Sequence, residues 1–497
     1  MGNYIHVPTI VKLNDIVNNN FAMSSSQYKK LIMPNKNYKM VKDFLSHPLC
    51  RSDLGIEIGS INYIKQSPYR FIRTKALQEH TFLPELTNES ALPIMPSEFV
   101  QMNLKEGDLL ISKDSNIGEI AILDKDYHNF MLSGAIYRLP VKEEWRYYLL
   151  AMIKHNVFRE QLDFIVPKGA TIRHAKTLFL DCKIPLPNTK VNDTIQYISV
   201  ITQAIINKEK LIRTRHQEIL KLIDDELANN QKREKFDYKL PRLYEIKNIA
   251  RLDVSLYKLF FKKEMFKIGN YSYGCAPLTE MQLEFKPGPS LELKLLGTRI
   301  DSPEYIKGFC RLITPTQITN YGTIKTEKYI GTPAKIEKIK FGDILFGESG
   351  TGRTMVYLDD DVNTINNAHA HILRSKKHND LERIITIRSI LQYYKEKGLT
   401  DCMTVGGSGG HLSPSYFDRL MIPNFHESIQ KEIAKLYYIG RKYDTSDFCL
   451  CNFLEKDNEY NLSAGIYELD KSAKYLKAKL NKAIDDIIND IEVNITF

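Results

Sequence analysis

The sequence predicts an α+β protein made of two similar domains, each followed by its own long helix. The first observation is a repeat: GDLLISKDSNIGEIAIL at 107–123 returns as GDILFGESGTGRTMVYL at 342–358, which is 235 residues later. The second is an apolar pattern of helical spacing that follows each copy. Solenoid repeats run to roughly 20–50 residues, so a period this long indicates two copies of a whole domain.

Within each copy, short β-rich runs alternate with turns and lead into a helix. In the first copy LLISK and EIAIL flank the turn DSNIG, and a helical stretch follows at 143–162. In the second copy DILFGE and TMVYL flank SGTGR, and the helical stretch is 380–397. Each copy then closes with a Gly-containing loop, an apolar strand and a proline. The two domains are predicted to span 1–187 and 236–424.

A long helix is predicted in the spacer 188–235 between the two domains. Neither proline nor glycine occurs from Thr194 to about Gln231, and isoleucine recurs there at every seventh position. A strict seven-residue spacing of apolar side chains favours a helix that packs along another helix. At about 1.5 Å per residue this helix is roughly 57 Å long. A helix buried against its own domain is the alternative.

The mate of this helix is predicted at the C-terminus, in 425–497, as two pieces. Ile429, Ile433 and Leu436 begin the apolar pattern. Between the pieces, the polar, Gly-bounded segment 440–465 is interpreted as an insertion that interrupts the helix. After it, the pattern continues at Leu476, Leu480, Ile484, Ile487 and Ile491. The residues predicted to pack the two helices together are Ile198, Ile205, Ile212, Ile219, Leu480, Ile484 and Ile487.

Composition bounds the function only loosely. The chain has 497 residues, of which 43% are hydrophobic and 26% charged, and 69 basic against 60 acidic residues give a net charge of +9. This mild excess permits a polyanionic partner without requiring one. The seven cysteines form no CxxC pair, and Cys449 and Cys451 are spaced CxC, so reduced thiols are expected. With no signal peptide and no apolar run of 18 residues, we expect a cytoplasmic protein without a membrane partner.

Taken in order, these landmarks resemble the specificity (S) subunit of type I restriction-modification systems. They are GDLLIS…IG and GDILFG…G, the G-T-I-R-H and G-G-H loops, the IPLP and MIP exits into long helices, and RLDVSLYK at 251–258. Two features depart from the family pattern. The first copy opens less typically, with FAMSSSQYKK at 21–30, and the insertion at 440–465 is atypical.

The resemblance implies two similar α/β target-recognition domains separated by two long antiparallel conserved helices, in a pseudo-twofold, cyclic arrangement. Each domain would read one half of a bipartite, asymmetric site on double-stranded DNA. The helices would dock two methyltransferase (modification) subunits, which methylate adenine with S-adenosylmethionine. Restriction/translocase subunits that use ATP and Mg would join them in a system that cleaves. Half-sites on one face of a duplex lie about 34–36 Å apart, so the helix pair has the length of a suitable spacer.

The candidate DNA contacts lie mainly in two Gly-containing loops, KGATIRH at 168–174 and GGSGGH at 406–411. Glycine lets backbone amides approach a phosphate, and Arg and His can reach phosphates or base edges. A tight turn would explain the glycines equally well. The candidates are Lys168, Arg173, His174, Lys176, Ser408 and His411, followed by Arg73, Lys75, Lys113 and Arg353.

Two motifs suggest nucleotide or metal binding at first sight, but neither predicts catalysis or a metal site. GESGTGRT at 347–354 nearly fits a phosphate-binding loop, but such a loop opens a helix and TMVYL favours a strand. His369 and His371 alternate as on one face of a strand, yet no complete ligand set accompanies them. The adenine-methyltransferase tetrapeptide D/N-P-P-Y/F and the HExxH motif are both missing.

The chain is therefore expected to be non-catalytic alone, with no cofactor and no metal of its own. The alternative to a DNA-reading subunit is a protein-assembly scaffold that uses the paired helices without base-specific DNA reading.

Overall fold

The computed structural model describes residues 4–18, 21, 23, 28–165, 176–252, 254–348, 352–360, 363–405, 410–412 and 414–497. The strands are β1 Ile5–His6, β2 Lys30–Leu31, β3 Tyr38–Met40, β4 Arg70–Ile72, β5 Ala91–Pro93, β6 Leu109–Ser112, β7 Ile120–Ile122, β8 Phe130–Leu132, β9 Ile136–Leu139, β10 Lys183–Pro185, β11 Cys275–Pro277, β12 Leu283–Pro287, β13 Ile300–Ser302, β14 Cys310–Ile313, β15 Tyr329–Gly331, β16 Ile344–Gly347, β17 Thr354–Val356, β18 Thr364–Asn366, β19 Ala370–Ser375 and β20 Met421–Pro423.

The α-helices are α1 Leu13–Asn18, α2 Arg146–Lys154, α3 Asn156–Ile165, α4 Val191–Asn229, α5 Leu243–Ile249, α6 Leu259–Gly269, α7 Leu293–Leu296, α8 Leu381–Glu396, α9 Leu399–Met403, α10 Glu427–Tyr437, α11 Phe453–Ser463 and α12 Ile466–Ile488. The chain divides into two compact units. Unit 1 consists of Met1–Lys210, Tyr443–Ser463 and Lys471–Phe497, and unit 2 of Leu211–Lys442 and Ala464–Asp470.

The strand pairings of unit 1 recur in unit 2. In unit 1, β4 lies between antiparallel β5 and parallel β8, β6 lies between antiparallel β7 and β9, and β3 pairs with β10. In unit 2, β14 lies between antiparallel β15 and parallel β18, β16 lies between β17 and β19, and β11 pairs with β20. Unit 2 adds the edge strands β12 and β13. The fold class predicted from the sequence, a mixed helix-and-sheet domain present twice, is confirmed.

The repeated GDLLIS and GDILFG runs become the central strands β6 and β16 because both of their faces are covered. Leu109 and Ile111 belong to one hydrophobic core of unit 1, whereas Leu110 belongs to another. Successive side chains of a strand point to opposite faces, so a strand packed on both sides has a continuous apolar sequence. The preceding glycines, Gly107 and Gly342, have φ of +86° and +84°, which glycine adopts without strain.

Helix α4 confirms the long helix predicted between the domains. It has 39 residues and therefore a length of about 58 Å. In unit 1, its N-terminal half runs antiparallel to the C-terminal part of α12. Asn188, just before α4, donates a hydrogen bond to Asp490, just after α12, and Lys477 donates one to Glu209. The seven residues proposed for helix packing are at most 6% exposed. Ile198 and Ile205 share one core with Leu480, Ile484 and Ile487.

The second helical pattern is interrupted after Tyr437, where α10 ends. In unit 2, one carboxylate oxygen of Glu468 accepts hydrogen bonds from the amides of Ile439 and Gly440, and the other accepts from the amide of Gly465. The chain thus departs from the path of the second helix at Gly440 and returns to it at Gly465, beside the same carboxylate. The residues between them include α11, and Tyr443–Ser463 is part of unit 1.

Two details of the helices differ from the sequence pattern. The helical stretch expected at 143–162 is two helices, α2 and α3, because the backbone is extended at His155 (φ −75°, ψ 151°). Ile491 lies beyond the end of α12 and is 56% exposed, so it is not part of the buried stripe. An apolar side chain at the right spacing does not by itself prevent a helix from ending.

Candidate nucleic-acid interface

In unit 1, three loop segments converge where strands end. Because β4 and β8 are parallel, they end on the same side, at Ile72 and Leu132. The amide of Ser133 donates to the carbonyl oxygen of Ile72 at 2.9 Å, and the amide of Lys113 donates to that of Ala135 at 2.9 Å. We call this group of segments, residues 73–79, 113–119 and 133–135, edge 1.

Edge 1 contains three of the candidate DNA contacts, Arg73, Lys75 and Lys113. Arg73 is exposed, and its guanidinium forms no hydrogen bond or ion pair with the residues that the structure describes. Lys75 instead pairs with Glu89, and Lys113 Nζ lies 3.7 Å from the carboxylate of Asp114. The Lys75–Glu89 pair is exposed, whereas Lys113 and Asp114 are half-buried. An exposed pair contributes about 0–1 kcal/mol, so a phosphate could replace Glu89 at small cost.

Unit 2 builds the equivalent edge from the same connections. Parallel strands β14 and β18 end at Ile313 and Asn366. The amide of Glu348 donates to the carbonyl oxygen of His369 at 2.9 Å, as the amide of Lys113 does to Ala135. The amide of Leu412 donates to the carbonyl oxygen of Glu348 at 3.0 Å, which adds the second Gly-containing loop. Edge 2 comprises the described residues among 314–318, 348–353, 367–369 and 405–412.

Arg353 stabilises the turn that follows β14. Its Nη1 donates to the carbonyl oxygens of Thr316 and Ile318, each at 3.3 Å, and its side chain is half-buried. Its own carbonyl oxygen accepts from the amide of Gly347 at 2.8 Å. The strand β17 follows directly, with no helix N-terminus to hold a phosphate. The geometry therefore supports a structural role for Arg353 and not a nucleotide-binding one.

The remaining candidates lie in or beside the Gly-containing loops. The backbones of Val405 and His411 form two mutual hydrogen bonds, at 2.9 and 2.8 Å, which close the second loop and leave the imidazole of His411 exposed. Lys176 is exposed and has φ of +47°. Four candidates, Lys168, Arg173, His174 and Ser408, lie outside the described residues.

The two histidines of the H-A-H motif have different environments. His369 is exposed and precedes β19, whereas the side chain of His371 is 9% exposed. The His371 ring meets that of Phe417 edge-on, with centroids 5.4 Å apart, and its Nδ1 lies 3.8 Å from the carboxylate of Glu348. Burial lowers the pKa of His371, although Glu348 opposes this. His371 is therefore a neutral, buried side chain that packs on an aromatic ring beneath edge 2.

Sequence reasoning missed the contact that fastens the sheet domain of unit 1 to α4. Glu209 Oε2 accepts hydrogen bonds from the hydroxyl of Thr81 and the amide of Phe82, each at 2.8 Å, while Lys477 donates to Oε1 at 2.7 Å. Hydrogen bonds to an ionised group are the stronger class. The signal available in the sequence was a glutamate inside an otherwise buried helical stripe, but its partners are distant in sequence.

Unit 2 has a comparable contact on the other half of α4. The carboxylate of Asp224 accepts from Lys267 at 2.6 Å, from the hydroxyl of Tyr393 at 2.8 Å and from Lys397 at 3.2 Å. Burial alone would raise the pKa of Asp224, but these hydrogen bonds outweigh it and lower the pKa to about 2. The carboxylate is therefore ionised at neutral pH and holds α6 and α8 against α4.

No protein-family model and no curated protein matches the chain. Among solved structures, it is similar to the S subunit of a type I restriction-modification system from M. genitalium, with 12% identity, a TM-score of 0.38, and coverage of 90% of this chain and 95% of that one. It is also similar to the HsdS subunit from Thermoanaerobacter tengcongensis, with 10% identity, a TM-score of 0.26, and coverage of 92% and 97%.

A third similar chain comes from a structure described as showing complex assembly and conformational transition of the type I R-M system, with 10% identity and a TM-score of 0.27. It is covered over 98% of its length, and 92% of this chain is matched. These solved structures are of the same class that the sequence landmarks resemble. Among the described residues, no helix combines the length and apolarity needed to cross a membrane.

Proposed function

We propose that this chain is a specificity subunit that reads a bipartite, asymmetric sequence in double-stranded DNA and directs partner subunits that methylate adenine there. The observation that carries the proposal is the construction of the same strand-end edge twice, in two units that each include half of α4. Two similar surfaces on one chain suit a target with two parts. The ordered landmarks of the sequence support the same assignment.

The two edges differ at equivalent positions, which supports an asymmetric site. Lys113 in edge 1 corresponds to Glu348 in edge 2, since both follow the central strand and donate to the matching carbonyl. Arg73 corresponds to Thr314, since each follows the strand that has a parallel partner. Because sequence is read through the pattern of donors and acceptors offered to base edges, surfaces with different side chains would select different bases.

The chemistry in this proposal belongs to the partners. Two methyltransferase subunits would dock on the helices and bind S-adenosylmethionine, and restriction/translocase subunits with ATP and Mg would join a cleaving complex. The chain itself would bind neither S-adenosylmethionine nor ATP, would not be an enzyme alone, and would act in the cytoplasm. Its helices would fix the distance between the two half-sites.

One observation favours the alternative of a scaffold that does not read DNA. Two of the candidate cations, Lys75 and Lys113, have carboxylate neighbours, so edge 1 is not a strongly basic surface. The two functions differ in salt dependence, because a protein that neutralises phosphates releases counterions and its affinity falls as salt rises.

The test is a DNA-binding titration over a range of salt concentrations, with the full chain purified together with its adenine methyltransferase partner. We expect affinity for the specific duplex to fall steeply with salt, and Arg73→Ala to weaken binding by ~10-fold, which is the effect of losing one good contact. Lys65→Ala is the matched control, because Lys65 is an exposed cation of unit 1 outside edge 1. Salt-independent binding, or equal losses in both variants, would favour the scaffold.

A further inference from the structure

The two units differ at one edge of their central sheets. In unit 2, strand β12 pairs with β19 without interruption, from Leu283 opposite Ser375 to Pro287 opposite His371. In unit 1, only the two ends of this ladder remain, as isolated bridges of Leu45 with Val141 and Leu54 with Tyr137. Three residues separate the ends of the ladder in unit 2, whereas eight, Ser46–Asp53, separate the bridges in unit 1. Residues 46–53 therefore form an excursion from the sheet.

This excursion brings three metal-ligating side chains together. The ligand atoms of His47, Cys50 and Asp53 all lie within 4.8 Å of one another. Cys50 Sγ is 3.1 Å from Asp53 Oδ2, and His47 Nε2 is 3.4 Å from the same oxygen. Around a tetrahedral zinc ion, neighbouring ligand atoms would be about 3.3–3.7 Å apart, given the usual zinc–ligand bond lengths. Both distances to Asp53 Oδ2 are close to that spacing, and the third pair of atoms lies within 4.8 Å.

The surroundings of the three side chains fit a metal site. Ser46 Oγ lies 3.2 Å from His47 Nδ1, and a hydrogen bond at this second nitrogen orients an imidazole that binds metal through Nε2. The side chain of Asp53 is 8% exposed, whereas that of His47 is 51% exposed. Two ligands on the solvent side and one on the protein side leave an access route for an ion. The corresponding residues of unit 2, Glu284–Lys286, contain neither histidine nor cysteine.

We propose that His47 Nε2, Cys50 Sγ and the Asp53 carboxylate bind one divalent transition-metal ion of the zinc class, with water in the fourth position. Thiolate and imidazole favour zinc over calcium or magnesium, which prefer oxygen ligands. On binding, the Cys50 thiol releases its proton to solvent and the sulfur becomes a metal-bound thiolate. The ion would hold the excursion in place where unit 2 has backbone hydrogen bonds. This metal site does not depend on the proposed function.

The test is a Co²⁺ titration of the full chain in the Cys449→Ser/Cys451→Ser background, followed by competition with Zn²⁺. This background removes the two other exposed thiols. We expect one ion per chain, a thiolate-to-cobalt charge-transfer band with tetrahedral ligand-field absorption, and loss of both when Zn²⁺ is added. Addition of Zn²⁺ should also raise the Tm.

Cys50→Ser should remove the charge-transfer band, and His47→Gln should weaken binding by more than ~10-fold. Both side chains are largely exposed, so circular dichroism should show an unchanged fold. His128→Gln is the control for an exposed histidine of unit 1 outside the excursion. A chain that shows no thiolate–cobalt band would overturn the proposal. Retention of the band in Cys50→Ser would overturn it equally.

Discussion

Lys208 Nζ lies 2.7 Å from Asp457 Oδ1, and both side chains are excluded from solvent. The ammonium also donates to Asn461 at 2.6 Å and faces the rings of Tyr443 and Tyr460, with centroids at 4.6 and 5.2 Å. Burial lowers the pKa of Lys208, and the attraction of Asp457 opposes this. Lys208 is on α4, and the other four residues belong to the segment that interrupts the second helix. The interrupting segment is thus fastened to α4 within unit 1 and is not a free loop.

Lys208→Met should lower the free energy of unfolding by about 3–5 kcal/mol, because it leaves the carboxylate of Asp457 buried without its counter-charge. The measurement is urea unfolding followed by circular dichroism. Lys456→Met is the matched control, since Lys456 pairs with Asp447 at the surface of the same segment, and it should leave the free energy of unfolding nearly unchanged. The double variant Lys208→Met/Asp457→Leu should recover most of the loss. Equal effects of the two lysine substitutions would contradict the proposed role.

Asp224 should make unit 2 sensitive to strong acid. Its pKa is about 2 in the folded protein, below the ordinary value of 3.8, so the unfolded state binds a proton first as the pH falls. The stabilisation is therefore complete above about pH 4 and is lost as the pH falls from there towards 2. We expect Asp224→Asn to lower stability at neutral pH by about 1 kcal/mol, a value discounted because the side chain is 39% exposed.

The measurement for Asp224 is the free energy of unfolding as a function of pH. The wild-type protein should lose more stability between pH 4 and 2 than Asp224→Asn does. Asp225→Asn is the control, because Asp225 is its exposed neighbour on the same helix. Identical pH profiles for wild type and Asp224→Asn would show that the carboxylate does not hold α4, α6 and α8 together.

Arg353→Ala should act on stability and Arg73→Ala on DNA affinity. The guanidinium of Arg353 satisfies two backbone carbonyls, so its removal should cost about 1–2 kcal/mol of unfolding free energy. Arg73 forms no described side-chain hydrogen bond or ion pair, so Arg73→Ala should change stability by less than about 0.5 kcal/mol. Thermal unfolding of the two variants checks this. A fully stable Arg353→Ala protein with weakened DNA binding would make Arg353 a DNA contact instead.

The parts of the fold that local patterns determine could be predicted from the sequence. Isoleucine at every seventh position reported the buried face of α4, since such spacing places side chains on one side of a helix. The repeated GD runs located β6 and β16, because a strand covered on both faces must be apolar throughout. These features depend only on residues that are near one another in the chain.

The features that were missed depend on partners that are distant in sequence. The excursion at Ser46–Asp53 is defined by its flanking bridges to Tyr137 in β9 and to Val141 just after it, and the sequence alone gives no register. Lys208 and Glu209 interrupt an apolar stripe, but their partners could not be named without the packing. For GESGTGRT, the sequence correctly indicated a strand after Arg353 instead of a phosphate-binding helix. It did not indicate that the guanidinium of Arg353 donates to the backbone of the turn after β14.

The central claim is that two different surfaces on this chain together select a bipartite DNA sequence. Single-molecule sequencing of DNA from cells that express the full chain with its adenine methyltransferase partner tests it most directly. The expected result is adenine methylation at one two-part, non-palindromic motif with a fixed gap, which disappears when this chain is omitted and persists with Lys65→Ala. Methylation at a single uninterrupted motif, or a pattern unchanged without this chain, would contradict the claim.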